Sequence, residues 1–468
     1  MKREALLLFL ACGSCGLSRP VSHANEVAKK NAEAGQAESG DVSVPRIVRT
    51  EATAEGAIEK PGGPSTATTG VVPSVVPMME ERPSLENAKG LVRYFDKLSK
   101  LDHGGHAVAI QFGDSHTAAD TMTGPFRRVL QERFGDGGRG FVSLGYPWKF
   151  FRQEAISGGM LGFATERASR KKDNQDGLYG LAGVAIRSTK QGASAWTDVR
   201  TAADAVEIAY LEQPGGGAFD VVIDNEVKGR VRTKAKKESS GFVRMDLPAG
   251  SAHRIELRVA TKESVRIFGM NLQNKQKGVE VDALGINGAR MLDVLRWDPD
   301  HFQTQVRKRS PDLVIFAYGT NESVDDAPLE THQRALVELM GRVSRAQPTS
   351  ACLVVGPPDR AVRSADDPST RTTPERLLQI VRIERAAAEA AGCAFFDTMN
   401  AMGGPGAMRR WVEDEKPQLG QKDYTHLTMA GYEKLGRQLA AELLRAYDCH
   451  MATKLNVSFS SSKRTGSP

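Results

Sequence analysis

The chain has 468 residues, of which 40% are hydrophobic and 26% charged. That length exceeds what one ordinary core serves and points to two domains with tails. The formal charge of +6, from 63 basic and 57 acidic side chains, suits proximity to anionic polymers. Without a basic cluster interleaved with aromatics it excludes a nucleic-acid binder.

In chain order, Lys2 and Arg3 precede an apolar stretch over residues 5–11. Ser22-His23-Ala24 then places small residues where a signal peptidase reads, so residues 1–24 read as a cleaved export signal. Leu10-Ala11-Cys12 offers the alternative of a lipoprotein site. The expected location is the periplasm or cell envelope, with secretion or lipid anchoring as variants. The apolar stretch is too short to span a bilayer, so no transmembrane span is expected. Residues 25–84 are rich in Ala, Glu, Gly, Pro, Ser, Thr and Val without a sustained period, which predicts a disordered linker.

Order is expected from residue 85, with a helix over 85–98 and a buried strand over 106–112. Met122, Phe126 and Leu130 lie four apart, so a helix follows, stopped at Gly135. Residues 312–318, 352–355 and 394–396 read as further buried strands. A helix over 374–391 has Thr373 as its N-cap and Gly392 past its end. The last helix starts at Thr428 and carries Tyr432, Leu435, Leu439 and Leu443 on one side. Strands alternating with helices predict an α/β domain with a doubly wound parallel sheet.

Between residues 179 and 275 the period changes to two. Val206, Ile208 and Tyr210, then Phe219, Val221 and Ile223, then Ile255, Leu257 and Val259, alternate with their neighbours. This predicts an inserted all-β sandwich, jelly-roll-like, dividing the α/β domain into parts over 85–178 and 276–452. Residues 453–468 read as a disordered tail.

Past the leader only Cys352, Cys393 and Cys449 remain. One disulfide is possible in an oxidising compartment. Cys352 and Cys393 sit in apolar runs and read by default as buried structural thiols. The cysteine spacing matches no metal motif.

The chemistry-bearing signal is Gly113-Asp114-Ser115-His116-Thr117, where a buried strand runs into a helix start. In an open α/β sheet ligands bind at such strand ends, and a helix N-terminus stabilises a developing oxyanion. Taken alone the tripeptide Gly-Asp-Ser is also a common helix cap. Three further blocks follow in order: Gly285-Ile286-Asn287-Gly288-Ala289, Tyr318-Gly319-Thr320-Asn321-Glu322 and Asp423-Tyr424-Thr425-His426. Together the four blocks resemble the SGNH hydrolases, named for a Ser, a Gly, an Asn and a His in separate blocks. Gly-Asp-Ser-His-Thr, an insert between the first two blocks, and residues 134–141 resemble the subgroup containing bacterial peptidoglycan O-acetylesterases, whose insert is carbohydrate-binding-like.

The resemblance implies Ser115 as nucleophile, His426 as proton carrier and Asp423 as its orienting partner. It implies Ser115, Gly288 and Asn321 as the oxyanion hole, and no metal or organic cofactor. Asp114 is expected to brace the nucleophile turn, and His116 is a pocket candidate without a proton-transfer role. The implied reaction is removal of O-acetyl groups from a glycan, peptidoglycan foremost, through an acetyl-Ser115 intermediate. The same residues would serve an O-acetyltransferase or an esterase for another polysaccharide. A non-catalytic glycan-binding protein is a fourth reading, against which the complete set of blocks argues. Tyr146, Trp148 and Trp196 are aromatic candidates for sugar contact or for burial between domains. The basic run over 234–237 reads as a solvated loop. The pattern specifies no oligomeric state.

Overall fold

The computed structural model describes residues 83–168, 176–250 and 252–462. The expected leader and nearly all of the expected linker lie outside them.

The central sheet follows from five short apolar runs. Its order is Leu85–Glu86, Ala394–Phe396, Ala351–Val355, Leu313–Ala317, His106–Gly113, Gly278–Gly285, and all but the antiparallel Leu85–Glu86 run parallel. Taking the parallel strands in chain order gives 2-1-3-4-5, a doubly wound arrangement. The strand His106–Gly113 is covered on both faces. Val108, Ile110 and Phe112 enter one core with Phe302, Leu336 and Val381. Ala107 and Ala109 enter the other with Phe126, Leu435 and Leu439. This two-sided burial is why the run is apolar without alternation. The helix Leu329–Ala346 buries His332, Ala335, Leu336, Leu339, Met340 and Val343, an i, i+3, i+4, i+7 stripe.

Two antiparallel sheets interrupt this domain. One orders Glu226–Arg232, Ala218–Ile223, His253–Val259, Ser194–Val199 and Ile156–Leu161; the other orders Ser239–Asp246, Ala205–Glu212, Val265–Gln273, Val184–Ser188 and Ala164–Arg167. Ile208, Tyr210 and Ile267 of one sheet pack with Phe219, Val221, Ile255 and Leu257 of the other in a single core. The alternation of inward apolar residues thus builds a sandwich.

Several expectations change. The first sandwich strands start at Ile156, not near 179, because Gly158 and Gly159 in Ile156–Leu161 erase the alternation. The expected helix over 85–98 is an edge strand, a 3-10 turn and a helix of only Val92–Leu98. Ser84 is already buried, and its carbonyl accepts from Asp397 N–H at 2.8 Å. At the other end the last helix runs Met429–Ser462, well into the expected tail. Cys352 and Cys393, expected as thiols, are joined in a disulfide across neighbouring parallel strands. Thr373 does not cap the helix Glu375–Ala390. Its hydroxyl donates to Asp359 at 2.7 Å and accepts from Gly406 N–H at 2.8 Å.

Buried charges tie the sandwich to the α/β half. Asp120 lies within hydrogen-bond reach of both Arg127 (3.1 Å) and Arg139 (2.5 Å), and all three are almost fully buried. Burial pushes Asp120 upward, yet the two guanidiniums win and hold it at about 2. Arg139 also donates to the carbonyl of Glu154 at 3.0 Å, just before the first sandwich strand. On the far side Arg309 pairs with Asp282 at 2.6 Å and Glu280 at 2.8 Å. Asp282 in turn accepts from Phe141 N–H at 2.8 Å, where Gly140–Val142 joins the sandwich strand Val265–Gln273.

Candidate active site

The site gathers at the C-terminal ends of three adjacent strands, on either side of the point where the strand order reverses. Ser115 opens the short helix Ser115–Ala118, directly after His106–Gly113. Asp114 caps that helix, its carboxylate accepting from His116 N–H at 2.9 Å. As the first helical residue, Ser115 has an N–H without an intrahelical acceptor. The helix sits tight on the neighbouring strand. A Cβ at Gly285 would lie 2.3 Å from Ala118 N and 2.7 Å from Asp114 O, so only glycine permits the approach.

His426 reaches this serine from the loop before the last helix. Its Nε2 is 2.9 Å from Ser115 Oγ, and its Nδ1 is 2.7 Å from Asp423 Oδ2. The other oxygen of Asp423 accepts from His426 N–H at 2.9 Å. A carboxylate at Nδ1 fixes the tautomer, leaving Nε2 to accept from the serine hydroxyl. Asp423 is opposed by burial, but its hydrogen bonds from His426 and Thr425 hold its carboxyl below the usual range. Ser115 and His426 are both partly exposed, so the relay opens to solvent.

Gly288 is exposed and adopts φ +77°, with open space where a side chain would project. The conformation, not crowding, demands glycine here. Asn321 joins the blocks: its Nδ2 donates to Ala289 O at 3.0 Å and, more weakly, to Asp114 Oδ2 at 3.4 Å. The structure thus joins Ser115, His426 and Asp423 directly and ties Asn321 to Asp114 and Ala289, with its amide turned to protein acceptors, while Gly288 lies on the adjoining loop.

Asp114 and His116 stand behind the relay and not on its open side. Both are buried, and they line a small space shared with Tyr318, Thr320 and Tyr432. Burial foremost, aided by the nearby Glu322 and Glu384, pushes Asp114 up to about 7. His116 Nδ1 lies 3.0 Å from the Tyr432 hydroxyl, and its ring lies against His426, tilted by 31° with centroids 5.3 Å apart. Burial and the neighbouring His426 push it down to about 3. It therefore presents a neutral ring to His426.

Sequence reasoning assigned no role to Glu322, which the structure makes a clamp. It is buried; its Oε1 accepts from Met291 N–H at 3.0 Å and its Oε2 from Gly319 N–H at 3.1 Å. One carboxylate thus spans the loops that carry Gly288 and Asn321. Arg290 and Asp325 bridge the same loops by two hydrogen bonds of 2.5 Å. Glu322 stood in a quoted block, but only the fold reveals that its partners are two backbone N–H groups. Trp148, an ambiguous aromatic in the sequence, is fixed by its Nε1 donating to Asn287 Oδ1 at 2.9 Å.

A doubly wound sheet with a serine, histidine and carboxylate in line at its strand ends fits the class of carboxylic ester hydrolases. Residues 259–434 match the GDSL-like lipase/acylhydrolase family model. Over those residues the chain is similar to GDSL-like acylhydrolases. The structure is similar to that of a solved peptidoglycan O-acetylesterase, with TM-score 0.65 and 23% identity over 78% of this chain and 99% of that one. Family two carbohydrate esterases also match. One from Clostridium thermocellum shows TM-score 0.25 and 12% identity, covering 60% of this chain and 97% of that one. One from Cellvibrio japonicus shows TM-score 0.26 and 13% identity, covering 63% and 99%. No curated protein sequence matches this chain significantly.

Proposed function

We propose that the protein removes O-acetyl groups from a cell-envelope glycan, peptidoglycan foremost, through an acetyl-Ser115 intermediate. The observation that carries the reading is the continuous relay Ser115 Oγ, His426 Nε2, His426 Nδ1, Asp423, with bonds of 2.9 and 2.7 Å. His426 takes the hydroxyl proton as Ser115 Oγ attacks the acetyl carbonyl, and Asp423 stabilises the resulting imidazolium. His426 then delivers that proton to the sugar oxygen as it departs. Water, activated by the same imidazole, releases acetate and restores the serine.

The N–H groups of Ser115 and Gly288 and the Asn321 amide take the oxyanion. For Asn321 this means exchanging its weak 3.4 Å contact with Asp114 for a charged acceptor, while the bond to Ala289 stays. Losing one such donor costs roughly 3–4 kcal/mol of barrier. Ser115 and His426 are both partly exposed, which leaves the relay accessible from solvent, and the likeness to a solved peptidoglycan O-acetylesterase supports the choice of glycan. The leader-like order of basic, apolar and small residues over 1–24 supports export to the envelope.

The test is acetate release from O-acetylated peptidoglycan by the purified protein and by Ser115→Ala. The parent is expected to release acetate and the variant to lose at least about a thousandfold in kcat. Equal release by both removes Ser115 from the mechanism. Release from acetylated xylan alone by the parent moves the substrate to another polysaccharide.

A further inference from the structure

The loop over residues 145–151 leaves the hydrolase half for the sandwich, and it is pinned at three points. Gly145 N–H donates to Thr197 Oγ1 at 3.1 Å, Thr165 Oγ1 donates to Pro147 O at 2.6 Å, and Trp148 Nε1 donates to Asn287 Oδ1 at 2.9 Å. The third pin is the residue before Gly288, so the loop borders the expected oxyanion hole. Inside the loop, Phe151 meets Trp148 and Tyr146 edge-on, with centroids 5.0 and 6.2 Å apart. Tyr146 spends its hydroxyl on Lys149 O at 2.6 Å.

What the pinned loop leaves outside is two aromatic rings. Tyr146 is 42% exposed and Phe150 64% exposed. Scattered single apolar residues on a surface need no explanation. Two rings on one hydrogen-bonded loop beside a catalytic opening are different, because fixing them in advance lowers the cost of binding a ligand. Lys149 sets its ammonium 5.6 Å from the centre of the Phe150 ring, and Arg152 is exposed close by. The patch is therefore aromatic and cationic together.

We propose that Tyr146 and Phe150 form a stacking platform for a pyranose ring of a carboxylate-bearing glycan strand. That ring neighbours the sugar whose acetyl group reaches Ser115, and Lys149 and Arg152 meet the strand's carboxylates. Trp148 is the staple that holds the platform against the oxyanion loop. The assignment rests on the glycan-esterase reading and adds to it the residues that select a polymer over a small ester.

The experiment compares the full protein with Tyr146→Ala/Phe150→Ala, changes at exposed rings that leave the core intact. Four quantities are read: kcat/KM for 4-nitrophenyl acetate, affinity for sonicated, de-O-acetylated peptidoglycan, affinity for anionic phospholipid vesicles and, for the parent, acetate release from O-acetylated peptidoglycan. Unchanged turnover of the small ester verifies the fold of the variant. Its affinity for peptidoglycan is expected to fall about tenfold. Lys149→Gln is expected to lose about threefold, and only at low salt. Equal affinity of the double variant and the parent overturns the platform, as does a parent that does not bind the strands. Lost binding to anionic phospholipid vesicles with unchanged peptidoglycan affinity assigns the rings to a membrane surface and also overturns it. A parent that binds strands but releases no acetate from O-acetylated peptidoglycan defeats the glycan-esterase reading instead, and the affinity comparison still decides the platform.

Discussion

Asp114 stands beside the nucleophile yet belongs to the buried side of the site. Its carboxyl, pushed up to about 7 mainly by burial, sits well above the ordinary value of about 3.9 in an unfolded chain. A carboxyl raised in the folded state binds more protons there than in the unfolded one. Its contribution is fully present below about pH 4 and is lost as pH rises through about 7. The stability difference between Asp114→Asn and the parent should accordingly shift in favour of the variant between pH 5 and pH 8, as roughly chosen bounds of that window. Urea unfolding at both pH values reads it; a difference independent of pH contradicts the buried, titrating carboxyl. Glu322 bears on catalysis through backbone. Glu322→Gln keeps one acceptor and turns an amide NH2 toward the other N–H, loosening one of the two loops it spans. We expect kcat on a small acetyl ester to drop about tenfold to a hundredfold, with KM within about twofold. A rise in KM at constant kcat instead places Glu322 in substrate binding.

Local elements were readable where burial imposes a period. Phe126 and Leu130 lie on one face of the helix Thr123–Phe134, with Met122 at its N-cap joining the same core, and Tyr432, Leu435, Leu439 and Leu443 on one face of the last helix, as their spacing required. Elements failed to announce themselves where glycine or a tertiary partner decided. Leu85–Glu86 is a strand only because Phe395 and Phe396 offer it an edge. Thr373 resembles a cap, but Asp359 and Gly406 claim its hydroxyl. The Cys352–Cys393 disulfide was likewise invisible: two cysteines in separate apolar runs become neighbours only when their strands pair side by side in the sheet. It closes a separation of 41 residues, for which chain entropy predicts about 4 kcal/mol of stabilisation. Cys352→Ala/Cys393→Ala should lose stability of that order in denaturant unfolding, while the esterase rate under native conditions stays unchanged. A loss below about 1 kcal/mol contradicts a formed bridge.

Across the chain, an α/β domain interrupted by a sandwich was legible from the switch of period near residue 206. The seam was not, because it is made of charges rather than of apolar repeats. Asp120, Arg127, Arg139 and Glu154 look like ordinary surface residues in the sequence, yet the first three are buried together. Arg139→Met leaves Asp120 with one guanidinium instead of two and should cost about 3–5 kcal/mol. Unfolding that remains as stable as the parent's assigns the seam to apolar packing alone. The candidate site shows the same division. Ser115, Gly288 and Asn321 stood out because each sits in a short block after a strand end, and Asp423 and His426 because they share a short block just before the last helix. Glu322, Tyr432 and the Trp148–Asn287 pin were not, because their roles are contacts between blocks far apart in sequence.

The central claim is that Ser115 carries the acetyl group between glycan and water. Its most direct test is rapid quenching of the protein with a saturating acetyl ester, followed by mass analysis of the peptide that contains Ser115. The account predicts a gain of one acetyl group on that peptide, formed faster than steady-state turnover and missing in Ser115→Ala. Turnover by the parent with an unmodified Ser115 peptide at every quench time contradicts it.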